Sequence, residues 1–193
     1  LRNPLATLKS FVDVLQSSPE ISNEEREQIL SIMDSSIDRQ FDMISKILDT
    51  RAVEAGNLKM NFEILEFQPI IDKIAKQFET KARDKHLEIA VSHQEKEPIL
   101  INVDIHYFTQ IIENLISNAI KFSPQGMSIK INSSNDGKYS RICVIDEGPG
   151  ISFEDQHKLF GKYQRLTARP TAGESSTGLG LSIVKRFTEA LNG

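Results

Sequence analysis

The first 55 residues contain no glycine, and their apolar positions recur at helical spacing. Leu1, Leu5, Leu8, Val12 and Leu15 step by four and three, a heptad-like seam along one helix. Pro4 is tolerated near a helix start and would kink a longer helix. The stretch SSPEIS (17–22) then breaks the pattern. Ser22 with Glu25 reads as a capping box for a second helix. Its apolar positions include Leu30, Met33, Ile37, Phe41, Ile44, Leu48 and Ala52, and Gly56 is its expected stop. At 1.5 Å per residue this helix is roughly 50 Å long. Two helices with one stripe each, joined by a short loop, make an antiparallel hairpin that cannot cover its own stripe. Dimerisation into a four-helix bundle is the expected cure, and packing on the rest of the chain is the alternative.

After Gly56 the period changes. NFEILEF (61–67), LEIAVS (87–92) and PILINVD (98–104) read as strands, and QPIIDKIAKQFETKARDKH (68–86) as a helix. Asp104 is placed to cap a further helix with Phe108, Ile111, Leu115 and Ala119 as its core face. SIKINSS (128–134) and YSRICVID (139–146) flank the turn NDG, a hairpin signal. SFEDQHKLF (152–160) starts a short helix capped by Ser152. A polar loop runs to Thr177, and LGLSIVKRFTEAL (179–191) closes with a helix. The expected class is α+β. A helical hairpin over 1–56 precedes an α/β sandwich over 57–193, with one mixed sheet and helices on one face.

Composition narrows the partners. A formal charge of −4 argues against a nucleic-acid binder. Cys143 is the single cysteine, which excludes an intramolecular disulfide and a multi-cysteine zinc site; within its apolar run it reads as buried. No apolar stretch approaches the roughly 20 residues that cross a bilayer, and no signal peptide opens the chain. The chain starts at Leu1 rather than Met and reads as a piece of a longer protein, expected in the cytoplasm, with any membrane attachment outside it.

Candidate chemistry lies in three stretches. ENLISNAIKF (113–122) puts Asn114, Asn118, Lys121 and Phe122 on one side of a helix. Asn is a poor interior helix residue, but its amide oxygen is a hard ligand suited to Mg²⁺, and a lysine suits a phosphate. A solvated face with incidental amides is the plainer reading of that stretch alone. VIDEGPGI puts Asp146, Gly148, Gly150 and Ile151 after an apolar strand, where glycine allows close backbone approach to a ligand. STGLGLSIVK puts Thr177, Gly178, Leu179, Gly180 and Leu181 before a helix whose N-terminus suits a phosphate. It lacks the third glycine and preceding strand of a dinucleotide fingerprint, and no GxxxxGK[ST] loop is present.

NLISNAIKF, DEGPG and GLGLSIVK in that order resemble the N, G1 and G2 boxes of the sensor histidine kinases, within the wider GHKL family of gyrase, Hsp90 and MutL-type ATPases. LFGKYQRL resembles the F box between them, with Phe160 and Tyr163 as its aromatics. LRNPLATL resembles the tail of the H box. The resemblance covers essentially the whole chain. It implies a Bergerat-type ATP-binding fold behind a dimerisation and phosphoacceptor hairpin, with ATP and Mg²⁺ as cofactors. It also implies a homodimer and a response-regulator receiver domain as partners. By this resemblance Asn118 is the Mg²⁺ ligand and Asn114 supports the metal-phosphate site. Lys121 is the phosphate contact and Phe122 an aromatic wall. Asp146 accepts from adenine, and Gly148, Gly150, Gly178 and Gly180 curl the backbone round the nucleotide. Residues 161–177 resemble the ATP lid, with Arg165 near the γ-phosphate. Asn3 stands where the family places a residue associated with dephosphorylating the regulator; as a support for the kink before Pro4 it has a plainer reading.

Two departures from the family pattern appear. Its acceptor histidine and the acid after it are expected just before Leu1, while His86, His93, His106 and His157 lie outside that context and read as surface residues. A last strand or hairpin is expected after Gly193. The implied activity is transfer of the ATP γ-phosphoryl to a hairpin histidine and on to a regulator aspartate. A gyrase-type hydrolytic ATPase is the first alternative. It requires a glutamate base where Asn114 stands, and the adjacent Glu113 is turned away by about 100° of helix. A non-catalytic dimer scaffold with a degenerate nucleotide site is the second.

Overall fold

The computed structural model describes residues 2–18, 20–54, 59–161, 164, 166–172 and 178–193, with side chains undescribed at 2–5, 35, 38–39, 41–43 and 45–54. The chain divides into two compact units, Leu1–Gly56 and Asn57–Gly193.

The first unit is a pair of helices, α1 (Arg2–Ser17) and α2 (Asn23–Glu54). The expected capping box forms. Glu25 N donates to Ser22 Oγ at 3.2 Å, and Ser22 N donates back to Glu25 Oε2 at 3.1 Å. This satisfies two donors that a helix start leaves without partners. The Ser22 hydroxyl also donates to the Glu25 carboxylate, and these bonds hold its pKa below the ordinary value. Leu8, Phe11 and Leu15 of α1 and Ile29 and Met33 of α2 are half-buried. Leu30, Ile37 and Ile44, spaced by seven, stay exposed, as does Val12. The expected positions Leu1, Leu5, Phe41, Leu48, Ala52 and Gly56 lie outside the described residues or side chains.

The second unit builds its core from α3 (Phe67–Asp84), α4 (Ile105–Phe122) and the strands they cover. Strands β2 (Glu88–His93), β4 (Ser128–Asn135) and β5 (Ser140–Ile145) form a mixed sheet in the order β2-β4-β5. β2 runs parallel to β4, with Ile89 opposite Ile129, and β5 runs antiparallel to β4. Strands β1 (Glu63–Glu66) and β3 (Leu100–Val103) pair antiparallel as a separate ladder, so the single expected sheet is two. Each of these strands is four residues long, and the pairing of Glu63 with Val103 through Glu66 with Leu100 takes up their whole length.

The fully buried Ile129 and Ile131 of β4 meet Ile71 of α3 and Ile112 and Ile116 of α4 in one cluster, with Phe67 and Phe108 rings 6.0 Å apart. The hairpin turn is held by Asp136 Oδ1, which accepts from Lys138 N and Tyr139 N, with Gly137 at φ 84°. On β5 the side chains alternate. Ile142 and Val144 pack on the core, while Arg141, Cys143 and Ile145 face outward. Cys143 is therefore exposed rather than buried, because the strand has only one covered face. His86, His106 and His157 are exposed as expected, but His93 is not a plain surface residue. It is half-buried, with Nδ1 2.6 Å from Ser133 Oγ and Nε2 3.0 Å from Asp72 Oδ1, and so ties β2 and β4 to α3.

Two short helices complete the unit, α5 (Phe153–Gln156) and α6 (Gly180–Ala190). Ser152 caps α5 by accepting from Asp155 N at 3.2 Å. Among the described residues no helix is long and apolar enough to cross a membrane.

Candidate functional site

Helix α4 carries the two asparagines. Asp104 caps it, accepting from His106 N at 3.0 Å and Tyr107 N at 3.4 Å, and its other oxygen accepts from Asn61 N at 2.8 Å. The core face of α4 differs by one position from the expected one. Ile112, Ile116 and Ile120 are buried with Phe108 and Ala119, whereas Ile111 and Leu115 are half-buried. The helix is covered on a second side by α6, where the Tyr107 and Phe187 rings lie 4.9 Å apart.

That second contact buries Asn114, which is 8% exposed. Its Nδ2 donates to the Gln110 carbonyl at 2.7 Å, so its Oδ1 turns the other way. A Cβ added at Gly180 would lie 3.2 Å from Asn114 Oδ1, 3.6 Å from Asn118 Nδ2 and 3.8 Å from Asn118 Oδ1. Both amides thus face the first residue of α6 across a glycine. The missing side chain leaves a cradle lined by the Asn114 oxygen and by both ends of the Asn118 amide, whose oxygen is a hard donor, at a helix end that favours anions. This donor set fits a Mg²⁺ bound together with phosphate oxygens.

The second stretch meets the C-terminal end of α4. Asp146 Oδ1 accepts from Gly148 N at 2.8 Å. A Cβ at position 148 would lie 2.7 Å from that oxygen and 3.0 Å from the Phe122 carbonyl, so only glycine fits without displacing the carboxylate. Asp146 is exposed, and its Oδ2 holds no protein hydrogen bond among the described residues. Gly150 and Gly178 both adopt positive φ, 72° and 70°. Ile151 and Phe160 are exposed, and Lys185 Nζ of α6 lies 5.8 Å from the Phe160 ring centre. Leu179 is buried beneath the start of α6, and Leu181 is half-buried. Lys121 and Phe122 are half-buried in the last turn of α4. Tyr163, Arg165 and Thr177 lie outside the described residues, as does the side chain of Asn3, whose backbone is in α1.

Four residues that hold this region together carry no local signal in the sequence. Asp155 is 7% exposed, and its carboxylate accepts from Thr167 N at 2.8 Å and from the Thr167 hydroxyl. These bonds hold the Asp155 carboxyl below the ordinary aspartate range, the Thr167 hydroxyl most of all, and they outweigh the opposing effect of burial. Thr171 donates from N to the Lys121 carbonyl at 3.1 Å and from Oγ1 to the Ser123 carbonyl at 2.7 Å. Lys85 reaches the same turn of α4 from the end of α3. Their partners are 12 to 50 positions away, beyond any helical or strand period.

Residues 103–193 match the family described as histidine kinase-, DNA gyrase B- and HSP90-like ATPase, and residues 1–56 match the His Kinase A (phospho-acceptor) domain. The sensor protein kinase WalK of Staphylococcus saprophyticus is 29% identical over 195 residues, covering 100% of this chain and 32% of WalK. The chain thus spans about a third of that relative. Among solved structures, full-length ShkA in complex with AMPPNP has a TM-score of 0.72 and 25% identity over 98% of this chain and 38% of ShkA. The histidine kinase ThkA, in complex with the response regulator protein TrrA, has a TM-score of 0.71. At 21% identity, over 100% of this chain and 52% of ThkA, that likeness speaks to the fold.

The Asp155–Thr167 contact has a measurable electrostatic consequence. A carboxyl whose folded pKa is depressed adds stability above its unfolded pKa and loses it as pH falls through the folded value. The contribution is therefore complete at neutral pH and fades as the pH falls below the ordinary aspartate range. Thr167→Val removes the hydroxyl donor and keeps the shape. A carboxyl-carbon NMR titration should place the Asp155 midpoint higher in the variant; equal midpoints would show that the hydroxyl does not hold the charge.

Proposed function

The chain belongs to the two-component histidine kinase family, and from that premise we propose that it is the nucleotide-binding and helical core of an ATP-dependent protein histidine kinase. The observation that carries the proposal is the pair of amides, Asn114 and Asn118, facing the start of α6 across Gly180. In this reading Asp146 accepts from the adenine amino group through its carboxylate, while Gly148 lets the loop close on Phe122. Asn118 Oδ1 would hold Mg²⁺, Asn114 would support that site, and the Lys121 ammonium would meet the phosphates. Gly150, Ile151, Phe160, Tyr163, Arg165 and Thr177 to Leu181 line the rest of the nucleotide. Bound Mg²⁺ supplies charge neutralisation on the phosphates. The γ-phosphoryl passes to the imidazole of an acceptor histidine, with ADP leaving, and from there to a carboxylate of a response regulator. A response regulator as partner goes with the match of residues 1–56 to a phospho-acceptor domain.

Hydrolysis is the weaker reading. The position of a general base is held by Asn114, an amide that cannot take a proton from water, and its Nδ2 is already committed to Gln110.

Nucleotide binding is read by calorimetry with Mg²⁺-ADP. Asp146→Asn turns an acceptor into a group that also presents donors, and the affinity should fall by about tenfold or more. Unchanged affinity would remove Asp146 from the adenine site.

The homodimer rests on the apolar stripe Leu30, Ile37 and Ile44, which α1 leaves uncovered. Light scattering should give a dimer at high micromolar concentration. Ile37→Glu, which puts a charge into the seam, should shift the chain to monomer. A monomeric unmodified chain would defeat this part of the reading.

Regulator dephosphorylation is the last part. Asn3 would orient a water against an aspartyl phosphate. Asn3→Ala in the full-length protein should lose dephosphorylation of its phosphorylated regulator while keeping autophosphorylation. Equal dephosphorylation rates in both proteins would return Asn3 to a structural role.

A further inference from the structure

The last turn of α4 has to end somewhere, and its carbonyls need donors once the helix stops supplying them. Ala119 O is taken by Ser123 N at 3.0 Å. Ile120 O and Lys121 O are taken by a side chain from another helix. Lys85, at the end of α3, is 7% exposed, and its Nζ donates to Ile120 O at 2.8 Å and Lys121 O at 2.9 Å. A cation at the carbonyl end of a helix is favoured by the helix dipole, and burial strengthens that attraction.

The backbone of Lys85 is itself fixed. Its N donates to Ala82 O at 3.0 Å, Leu87 N returns to Ala82 O at 2.9 Å, and His86 between them sits at φ 56°. This is the left-handed stop of a helix, made with a histidine where glycine is usual. It ends α3 and turns the chain into β2, leaving the Lys85 side chain on the end of α4.

The Lys121 carbonyl is shared. Thr171 N donates to it at 3.1 Å and Thr171 Oγ1 at 3.3 Å, and the same hydroxyl donates to Ser123 O at 2.7 Å. The next carbonyl, of Phe122, is the one that packs against Gly148. One short turn therefore receives the end of α3, the loop carrying Asp146, and residue 171.

We propose that Lys85 is a positioning residue for the nucleotide site. It fixes the last turn of α4, and with it the side chains of Lys121 and Phe122 and the anchor of Thr171 on the Lys121 carbonyl. The proposal rests on the reading of this site as a nucleotide site. Lys85 touches no nucleotide; it acts through two carbonyls on the residues that do.

The test is calorimetry with Mg²⁺-ADP on the whole chain, alongside melting temperatures. Lys85→Met keeps the length of the stem and removes every donor. Its ADP affinity should fall about 10-fold, the scale on which a supporting partner of a ligand site acts. Lys85→Arg, which keeps donors, should recover part of the loss. Ile71→Val, a core change remote from this turn, should lower the melting temperature and leave ADP affinity within about twofold, since a cavity cost is not a site effect. Lys85→Met and Thr171→Val together should cost less than the product of the two single losses, because both act on one carbonyl.

Lys85→Met that melts low but binds ADP like the unmodified protein would overturn the proposal and leave Lys85 a plain stability residue. Should Lys85→Met not fold, Thr171→Val reads the same carbonyl, and unchanged affinity there overturns the proposal too. If the unmodified chain binds no ADP, the nucleotide reading falls and this one with it. If it binds and the variants match it, only this one falls.

Discussion

An amide cannot be buried without choosing which way it points. Asn114 is buried between α4 and α6, and its Nδ2 is spent on the Gln110 carbonyl one turn back. That bond costs α4 little, since a carbonyl can accept twice, and it fixes the oxygen toward α6. A side chain at position 180 would press on that oxygen from 3.2 Å, and the buried amide would have to give by a few tenths of an ångström to admit it. The packing of two helices, the direction of an amide and the absence of a side chain are one constraint. The candidate metal and phosphate site is the space it leaves.

The C-terminal end of α4 follows a different rule. There the chain must terminate a helix inside a packed unit, and it recruits donors from far away in sequence. Lys85 and Thr171 cover the carbonyls of residues 120, 121 and 123, and Gly148 admits its loop to the carbonyl of residue 122. The second half of one 18-residue helix thus carries both parts of the site: amides toward α6 and, at its end, a capped turn toward the Asp146 loop.

What could be read from the sequence is what local chemistry decides. Ser22 with Glu25, Asp104 and Ser152 act within four residues of themselves, and each cap forms where the pattern places it. The strands follow their alternation, and the NDG turn follows its glycine. The asparagine pair, Asp146 and the glycines were visible because they are unusual residues in otherwise apolar surroundings. The core face of α4 was read one position off, since a helix covered on two sides has no single stripe for periodicity to find. Cys143 was misread because apolar neighbours on a strand say nothing about which of its two faces is covered. Lys85, Thr171 and the Asp155–Thr167 contact were invisible for a simpler reason. A lysine or threonine in a polar stretch looks like every other one until its partner, tens of residues away, is brought beside it.

The two units also differ in how far apart in sequence their contacts lie. The capping box in the hairpin joins neighbours across three residues, whereas β2 finds β4 only across forty, Glu88 beside Ser128, with β3 and α4 between them. Closing long connections before any contact rewards them is slow, and parallel pairing is the slow kind. On a ribosome the hairpin emerges first, since domains form in the order they are made. Leu30, Ile37 and Ile44 are then presented to other chains before Ser128 has been synthesised. The stripe is thus open to association on a nascent polypeptide, while the sheet of the second unit still lacks its central strand.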